Sequence, residues 1–319
     1  MSPTVVEVAT LLKGLFGARP ADVEKMSFGE ISVTFGASVG GEMLIVRTHQ
    51  DPKTFSGTQQ TLDALRALGI PVPELISVDL SCRNVRFAYM ITERFPGRDL
   101  RFEIPSMTHT QLSALAEQIM DFERRASTLG SPGRYGYAPV GAVPPNTTWL
   151  DAMASDARIS SRLPLELQPL LTAIENAIER HADYIRDVRS VCFLDDLTTK
   201  NVIVHHGKLS GVVDFDCVCY GDPLWHVSLT KAAIAADVGD GYLGYVDELS
   251  RYGAIGSDLS PIIDLYAAMH GIEFMHDQPQ GTSEAAAMRE SVRRWTAAAN
   301  SEPGACTIST LRVRSSCDR

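Results

Sequence analysis

Long apolar runs are missing from this 319-residue sequence. No stretch reaches the roughly 20 consecutive apolar residues that a membrane-spanning helix requires. Glu7 and Lys13 interrupt the first twenty residues, which therefore lack the unbroken hydrophobic centre of a secretory signal. These absences lead us to expect a protein that does not enter a membrane and that resides in the cytoplasm.

Paired metal-binding cysteines are also missing. The six cysteines form no C-x-x-C pair and have no companion histidines at the spacing of a zinc site. Cys217 and Cys219 would share one face of a strand, where packing is a more common role than metal binding. We therefore expect reduced thiols and no structural zinc.

Runs of basic residues are absent as well, and the net charge is −10. A nucleic-acid partner is excluded on this ground, because binding phosphates needs a patch rich in Lys and Arg. The acidic charge is compatible with a cationic ligand. It is equally compatible with an acidic surface that serves only solubility.

With 45% hydrophobic residues, the chain can bury a large core, and its length predicts two lobes. Apolar spacing predicts a helix over residues 1–24, closed by Pro20. A hairpin with a turn at 37–41 follows over 27–48, and then a helix over 55–68. Two more strands are predicted at 75–80 and 85–95.

Pro96 and Gly97 break the strand pattern, and most of the later sequence has helical spacing. We therefore predict an N-terminal lobe over 1–95, a C-terminal lobe over 96–300 and a weakly ordered tail over 301–319. Five helical segments are predicted in the second lobe: 108–128, 164–186, 226–252, 260–276 and 283–299. The exception is the segment 190–216, which is predicted to form a loop and a hairpin, with His205 and His206 in a solvated turn.

The chemistry is concentrated in the segment LDDLTTKNVIV, residues 194–204, and in VVDF, which begins at Val212. Phosphoryl transfer needs a carboxylate near the nucleophilic hydroxyl and oxygen ligands that hold magnesium against the phosphates. The spacing D-x-x-x-x-N before a strand, with an aspartate at the far end of the hairpin, supplies both. We expect Asp196, Asn201 and Asp214 to surround one cavity.

The pattern LDDLTTKNVIV…GVVDFDCVCYGDPLWH resembles the aminoglycoside phosphotransferase family, which usually reads H-G-D-x-x-x-x-N…I-D-[WF]…G-D-P-x-x-D. The segments MLIVRT, TLDALRALGIPVPELI and YMITERFPGRDL resemble further blocks of that family, in the same order. The resemblance covers roughly residues 25–275. It implies an α+β, protein-kinase-like bilobal fold: an N-terminal antiparallel sheet plus helix, a larger, mainly helical C-terminal lobe, and a nucleotide between them.

Carried over to this sequence, the resemblance makes Asp196 the catalytic carboxylate, and it makes Asn201 and Asp214 the magnesium ligands. ATP or GTP would be the phosphate donor. Arg47 would face its phosphates, and the backbone at 91–95, including Glu93 and Phe95, would meet its base. The Gly29 region would cover the phosphates or form a plain β-turn, and Asp222 would brace the catalytic loop.

The sequence departs from the family pattern at several positions. Leu194 replaces the histidine of H-G-D, and His226 replaces the last aspartate of G-D-P-x-x-D. Arg47 stands where kinases commonly have lysine. The helix residue expected to pair with it aligns with Thr58, so the alternative partners are Gln59, Gln60 and Asp63.

The main functional hypothesis is a kinase that phosphorylates a hydroxyl of a small antibiotic and so gives resistance. The alternatives are a metabolic kinase for a sugar, choline or homoserine, and a catalytically silent binding protein of kinase fold. A cationic acceptor would suit acidic residues predicted beside the cleft, which are Asp195, Asp264, Glu273 and Asp277. Asp264 and Glu273 are nine residues apart, so at most one of them is expected to face the cleft.

Overall fold

The structure is a computed structural model, and it describes residues 2–26, 32–156, 165–277 and 282–301. Its N-terminal elements are α1 (Val5–Phe16), β1 (Ala21–Lys25), β2 (Val33–Val39), β3 (Glu42–His49), α2 (Thr58–Ala67), β4 (Leu75–Asp79) and β5 (Ala88–Glu93). The strands form one antiparallel sheet in the order β1-β2-β3-β5-β4.

The β2–β3 hairpin forms at the predicted place and has a two-residue turn. Val39 pairs with Glu42, so Gly40 and Gly41 alone make the connection. Both glycines have positive φ, at 63° and 92°. A turn of this kind matches the twist of the two strands, and only residues without a Cβ adopt it at no steric cost.

Helix α1 packs on the N-terminal sheet. Val8 and Leu12 are fully buried in one cluster with Phe35 and Val46 of the strands. The predicted helix over 1–24 is too long, because Gly17 adopts a left-handed backbone that ends α1. The chain then enters β1, which pairs with β2.

The C-terminal part is mainly helical. Its elements are β6 (Arg98–Asp99), α3 (Leu100–Glu103), α4 (His109–Ala126), β7 (Gly136–Ala138), α5 (Trp149–Asp156), α6 (Gln168–Arg180), α7 (Ala182–Asp187), β8 (Val191–Phe193), β9 (Val202–His205), β10 (Lys208–Val212), β11 (Val218–Gly221), α8 (Leu224–Asp237), α9 (Gly244–Tyr252), α10 (Ser260–Asp277) and α11 (Ser283–Ala299). No described helix is long and apolar enough to cross a membrane.

Aromatic side chains fill the centre of this helical part. Trp149, Trp225 and Tyr266 are buried, and the rings of Trp225 and Tyr266 lie 5.1 Å apart with their planes steeply tilted. Helix α8 ends earlier than the predicted segment 226–252, because Gly239 takes a φ of 111° and separates α8 from α9.

The predicted hairpin inside the helical part is present as β9 and β10, joined by the exposed His206 and the partly buried Gly207. Strand β6 pairs with β9, which attaches the exit of β5 to this hairpin. A Cβ at Gly97 would lie 2.2 Å from the carbonyl oxygen of Val204, so only glycine fits there.

These elements confirm the predicted α+β architecture: an N-terminal antiparallel sheet with a helix, and a larger helical part. Leu62 and Leu65 of α2 belong to the same buried cluster as the C-terminal helices. The position of the lobe boundary near residue 96 stays a prediction, and the predicted tail from 302 onward lies outside the described residues.

Candidate active site

The loop between β8 and β9 is closed by its own polar groups. The Thr198 hydroxyl donates to a carboxylate oxygen of Asp196 at 2.9 Å. The Asn201 Nδ2 donates to the carbonyl of Asp196 at 3.1 Å, and the Val202 amide donates to the carbonyl of Thr198 at 3.2 Å. Asp196 and Asn201, predicted from their spacing to act together, are therefore held in one compact loop.

The β9–β10 hairpin brings Asp214 to this loop. The amide of Val213 donates to the carbonyl of Asn201 at 2.9 Å, so the residue before Asp214 is bonded to the end of the loop. Asp214 has a φ of 71°, a conformation that costs a residue with a side chain about 1–3 kcal/mol and that recurs at functional sites. Its side chain is 54% exposed to solvent.

The environment of Asp196 suits a general base. Burial raises the pKa of this carboxyl to about 6, and the negative charge of Asp214 acts in the same direction, whereas the hydrogen bond from Thr198 opposes the shift. The carboxylate is therefore mainly ionised at pH 7, but it is more basic than a solvated aspartate.

Arg47, on β3, is bound by acidic groups from the other side of the cleft. Its guanidinium makes a two-pronged contact with Asp216 at 2.8 and 2.7 Å and lies 3.2 Å from Asp214. Its Nε donates to the Ser32 hydroxyl at 3.2 Å. Burial lowers the pKa of Arg47, but the two carboxylates outweigh it, so the net pKa is raised. Two parallel hydrogen bonds to one carboxylate are a geometry that the arginine guanidinium forms and the lysine ammonium does not.

The partner of Arg47 therefore differs from the candidates named from the sequence. Asp63 instead lies 3.8 Å from Arg66 on the exposed side of α2. Thr58, aligned with the expected helix acid, donates its hydroxyl to Asp216 at 2.9 Å. The residue that pairs with Arg47 is Asp216, the second aspartate of Asp214-Phe215-Asp216, which the sequence analysis did not consider.

Glu93 and Phe95 lie where β5 leaves the sheet. A carboxylate oxygen of Glu93 accepts from the Glu74 amide at 2.9 Å, which holds the strand end. The Phe95 ring packs directly over Gly211 of β10, where a Cβ would lie 2.2 Å from a ring atom. The segment predicted to meet the nucleotide base thus contacts the hairpin that carries Asp214.

Asp222 is buried and braces helices rather than the catalytic loop. It accepts from the hydroxyls of Tyr184 at 2.9 Å and Tyr266 at 3.1 Å, and from the Leu224 amide at 3.0 Å. Burial raises its pKa, and these three hydrogen bonds oppose the shift. The residue therefore ties α7, α8 and α10 together.

A buried acid that sequence reasoning missed does contact the catalytic loop. Glu123 of α4 accepts a hydrogen bond from the Leu194 amide at 3.0 Å, and its other carboxylate oxygen lies 3.0 Å from Nδ1 of His226. No local pattern marks Glu123, because its partner Leu194 is 71 residues away in the sequence.

The predicted acidic residues near the cleft differ in their surroundings. Asp264 is paired with Lys231 at 2.5 Å, so its charge is neutralised within the protein. Asp195 and Glu273 are partly buried. The side chain of Asp277 and the segment around Gly29 lie outside the described residues.

The described residues contain no cluster of three His, Cys, Asp or Glu side chains that could hold a metal alone. Magnesium needs less from the protein, because it is usually held by one or two side-chain oxygens together with substrate phosphates. Asp214 offers a half-exposed carboxylate. Since the Nδ2 of Asn201 is engaged with Asp196, its amide oxygen is the atom that this side chain can offer a cation. The donor set fits Mg²⁺.

The sheet, the helical part and this loop together define a protein of kinase-like fold. Its residues 33–253 match the model of the phosphotransferase enzyme family, so the chain belongs to that family. The hygromycin-B 4-O-kinase of Escherichia coli is 21% identical over 214 residues, which are 65% of this chain and 61% of that protein. The chain thus aligns with somewhat less than two thirds of the length of this relative.

Solved structures show the same fold. A thermostable mutant of aminoglycoside phosphotransferase APH(4)-Ia, in a ternary complex with AMP-PNP and hygromycin B, matches with a TM-score of 0.69 and 17% identity, covering 92% of this chain and 99% of that one. The GDP complex of aminoglycoside 2'-phosphotransferase-IIIa matches with a TM-score of 0.67 and 15% identity, covering 92% and 99%.

Proposed function

We propose that this protein transfers the terminal phosphate of a nucleoside triphosphate to a hydroxyl of a small antibiotic, and that the product no longer acts on its target. The observation that carries the proposal is the convergence of Asp196, Asn201 and Asp214 opposite Arg47, in a chain of this family. The relatives support an antibiotic acceptor, since one is a hygromycin-B 4-O-kinase and another forms a complex with hygromycin B.

Asp196 is the catalytic residue of the proposed reaction. The acceptor oxygen forms a bond to the terminal phosphorus, the bond from that phosphorus to the bridging oxygen breaks, and the nucleoside diphosphate leaves. Asp196 orients the hydroxyl and takes its proton. Its raised pKa makes it a better proton acceptor than a solvated carboxylate, while it stays ionised at neutral pH.

The remaining predicted residues bind and orient the nucleotide. Arg47 lies where phosphates would enter, and Glu93 and Phe95 lie at the strand end where the base would sit. Asn201 and Asp214 would hold Mg²⁺, which neutralises the charge that builds up on the phosphate oxygens. ATP and GTP both remain candidate donors.

A neutral acceptor, as in a metabolic sugar kinase, is favoured by one observation. Lys231 neutralises Asp264, which removes one of the acids expected to attract a polycation. A catalytically silent protein is disfavoured, because Asp196, Asn201 and Asp214, the candidate base and magnesium ligands, are all retained.

Turnover tests the proposal. The purified protein, Mg²⁺ and either ATP or GTP are mixed with aminoglycoside, macrolide, nucleoside, sugar and choline acceptors, and mass spectrometry detects an acceptor heavier by one phosphate. In parallel, the gene is expressed in a sensitive host with the same antibiotics, with an Asp196→Asn strain as the control. If only sugars or choline are phosphorylated, the protein is a metabolic kinase and not an antibiotic kinase. If no acceptor is phosphorylated, both kinase hypotheses are contradicted.

A further inference from the structure

Glu123 occupies an unusual place for a carboxylate. It lies on α4, where 6% of its side chain is exposed; one oxygen contacts the segment that leads to Asp196 and the other lies beside His226. One oxygen accepts from the Leu194 amide, two residues before Asp196. Burying a charged carboxylate is costly unless it is paired and hydrogen-bonded, and the Leu194 amide supplies the hydrogen bond to one of its oxygens.

His226 lies beside the other carboxylate oxygen of Glu123. It lies in the first turn of α8 with no exposed surface, and its Nδ1 is 3.0 Å from Glu123. Its Nε2 lies 3.3 Å from the carbonyl oxygen of Leu197, one residue after Asp196. Glu123 therefore contacts the backbone two residues before Asp196, and His226 contacts it one residue after Asp196.

The two anchors act on backbone atoms on either side of Asp196. Thr198 and Asn201 fix the C-terminal half of the loop to Asp196. The Leu194 amide, at the N-terminal end, is held by Glu123. A shift of the loop by about 1 Å would move the base relative to the reacting hydroxyl, which is enough to cost about 100-fold in rate.

We infer that the buried Glu123–His226 pair is a positioning device that sets the geometry of Asp196 by holding Leu194 and Leu197. Neither side chain touches substrate in this account. The inference rests on the proposed function, because its main readout is turnover.

The test is a double variant, Glu123→Leu/His226→Leu. Replacing both partners of a buried pair by apolar side chains avoids leaving one charge uncompensated, so the variant has a better chance of folding than either single leucine variant. We expect kcat to fall about 10- to 100-fold with KM for the nucleotide within about twofold of the wild type, because the lost geometry matters only in the transition state.

A second readout does not depend on activity. In the wild type the Leu194 amide should be protected from hydrogen exchange, and in the double variant its exchange should be at least about 10-fold faster. Thr230→Val is the matched control, since Thr230 is buried on the same helix one turn beyond His226. It should leave kcat and Leu194 exchange unchanged.

A wild-type kcat in the double variant, or unchanged exchange of Leu194, would overturn the inference. If the double variant does not fold, His226→Gln takes its place. A glutamine amide cannot serve both Glu123 and the Leu197 carbonyl in the geometry of the imidazole, so kcat should still fall at least about fivefold at constant nucleotide KM. A wild-type kcat in that variant would equally overturn it. Failure of the proposed function is distinguishable, because the wild type itself would then give no product.

Discussion

Asp214 combines a strained backbone with a half-exposed carboxylate, and this combination favours a role in binding a cation and phosphates. We expect Asp214→Ala to weaken magnesium-dependent nucleotide binding about 10-fold or more, together with turnover, because the main charged oxygen ligand is lost. Calorimetric titration with Mg-nucleotide gives the affinity, and titration without Mg²⁺ is the control. Equal Mg-nucleotide affinity in the variant and the wild type would argue against the metal role.

His270 is buried in the helical core against Trp225, with their rings 4.2 Å apart. Burial lowers the pKa of this imidazole to about 3. Between pH 6.5, where an unfolded histidine takes up its proton, and about pH 3, the unfolded chain holds a proton that the folded chain does not. The folded state therefore loses stability as pH falls below 6.5, by about 2 kcal/mol at pH 5.

His270→Gln removes this titration. The difference in unfolding free energy between pH 7 and pH 5 should be smaller in the variant by about 2 kcal/mol, measured by denaturant titration at both pH values. The control is His205→Gln, which removes an exposed imidazole at the end of β9 and should leave that difference at the wild-type value. An identical pH response in His270→Gln and the wild type would refute the proton linkage.

The sequence placed Asp196, Asn201 and Asp214 correctly together because they are close in the chain. Loop and hairpin span fewer than twenty residues, so local turn signals suffice to bring them together. Asp216 and Glu123 were missed because their contacts are tertiary: Arg47 is 169 residues from Asp216, and Glu123 is 71 residues from Leu194. Spacing carries no information about contacts at such separations.

Three elements meet at Asp216: strand β3 through Arg47, helix α2 through Thr58, and the segment after β10 that carries the aspartate itself. The contact joins the N-terminal sheet to the catalytic hairpin. It also supplies the acidic partner of Arg47 that helix α2 lacks. The orientation of the Arg47 side chain should therefore depend on Asp216.

Asp216→Asn should lower kcat/KM for the nucleotide about 10-fold or more, because the partly buried Arg47 loses its two-pronged ion pair and keeps only the contact with Asp214 at 3.2 Å. Steady-state kinetics with the acceptor saturating measure this value. Asp63→Asn is the matched control, since Asp63 was the helix acid that the sequence offered as partner, and it should behave as wild type. A larger fall in kcat/KM for Asp63→Asn than for Asp216→Asn would indicate that Asp63, and not Asp216, is the partner of Arg47.

Helices and hairpins were predicted well where a local signal marks both ends. The β2–β3 and β9–β10 turns contain glycines with positive φ, and α4 begins with Thr108 and Gln111 capping each other. Errors arose at internal glycines. Gly17 and Gly239 end helices inside stretches whose apolar spacing continues beyond them, and spacing alone cannot reveal a left-handed or extended glycine.

The whole molecule carries a net charge of −10, and its distribution around the cleft decides how strongly it attracts a cation. Lys231 neutralises Asp264, one of the acids expected beside the cleft. For a cationic acceptor, we expect kcat/KM to fall about fivefold between low and high ionic strength, because salt screens the field over about 10 Å at 0.1 M. The measurement is made with Mg-nucleotide saturating. A salt-insensitive value, or a best acceptor without positive charge, would reject the cationic reading.

Family and fold were recognisable from the sequence because the blocks that carry them are short and occur in the same order as in the family. The family match and the solved structures confirm both. The acceptor could not be named, because an acceptor site is built from side chains that are far apart in the sequence, and their arrangement depends on tertiary packing.

The central claim is that Asp196 acts on the acceptor hydroxyl and not on the nucleotide. The measurement that tests it most directly compares kcat and calorimetric Mg-nucleotide affinity in the wild type and in Asp196→Asn, whose amide oxygen can still accept the Thr198 hydrogen bond. The account predicts that kcat falls by a factor on the order of 1,000 while nucleotide affinity stays within about twofold. A variant that turns over at a rate near that of the wild type would contradict it.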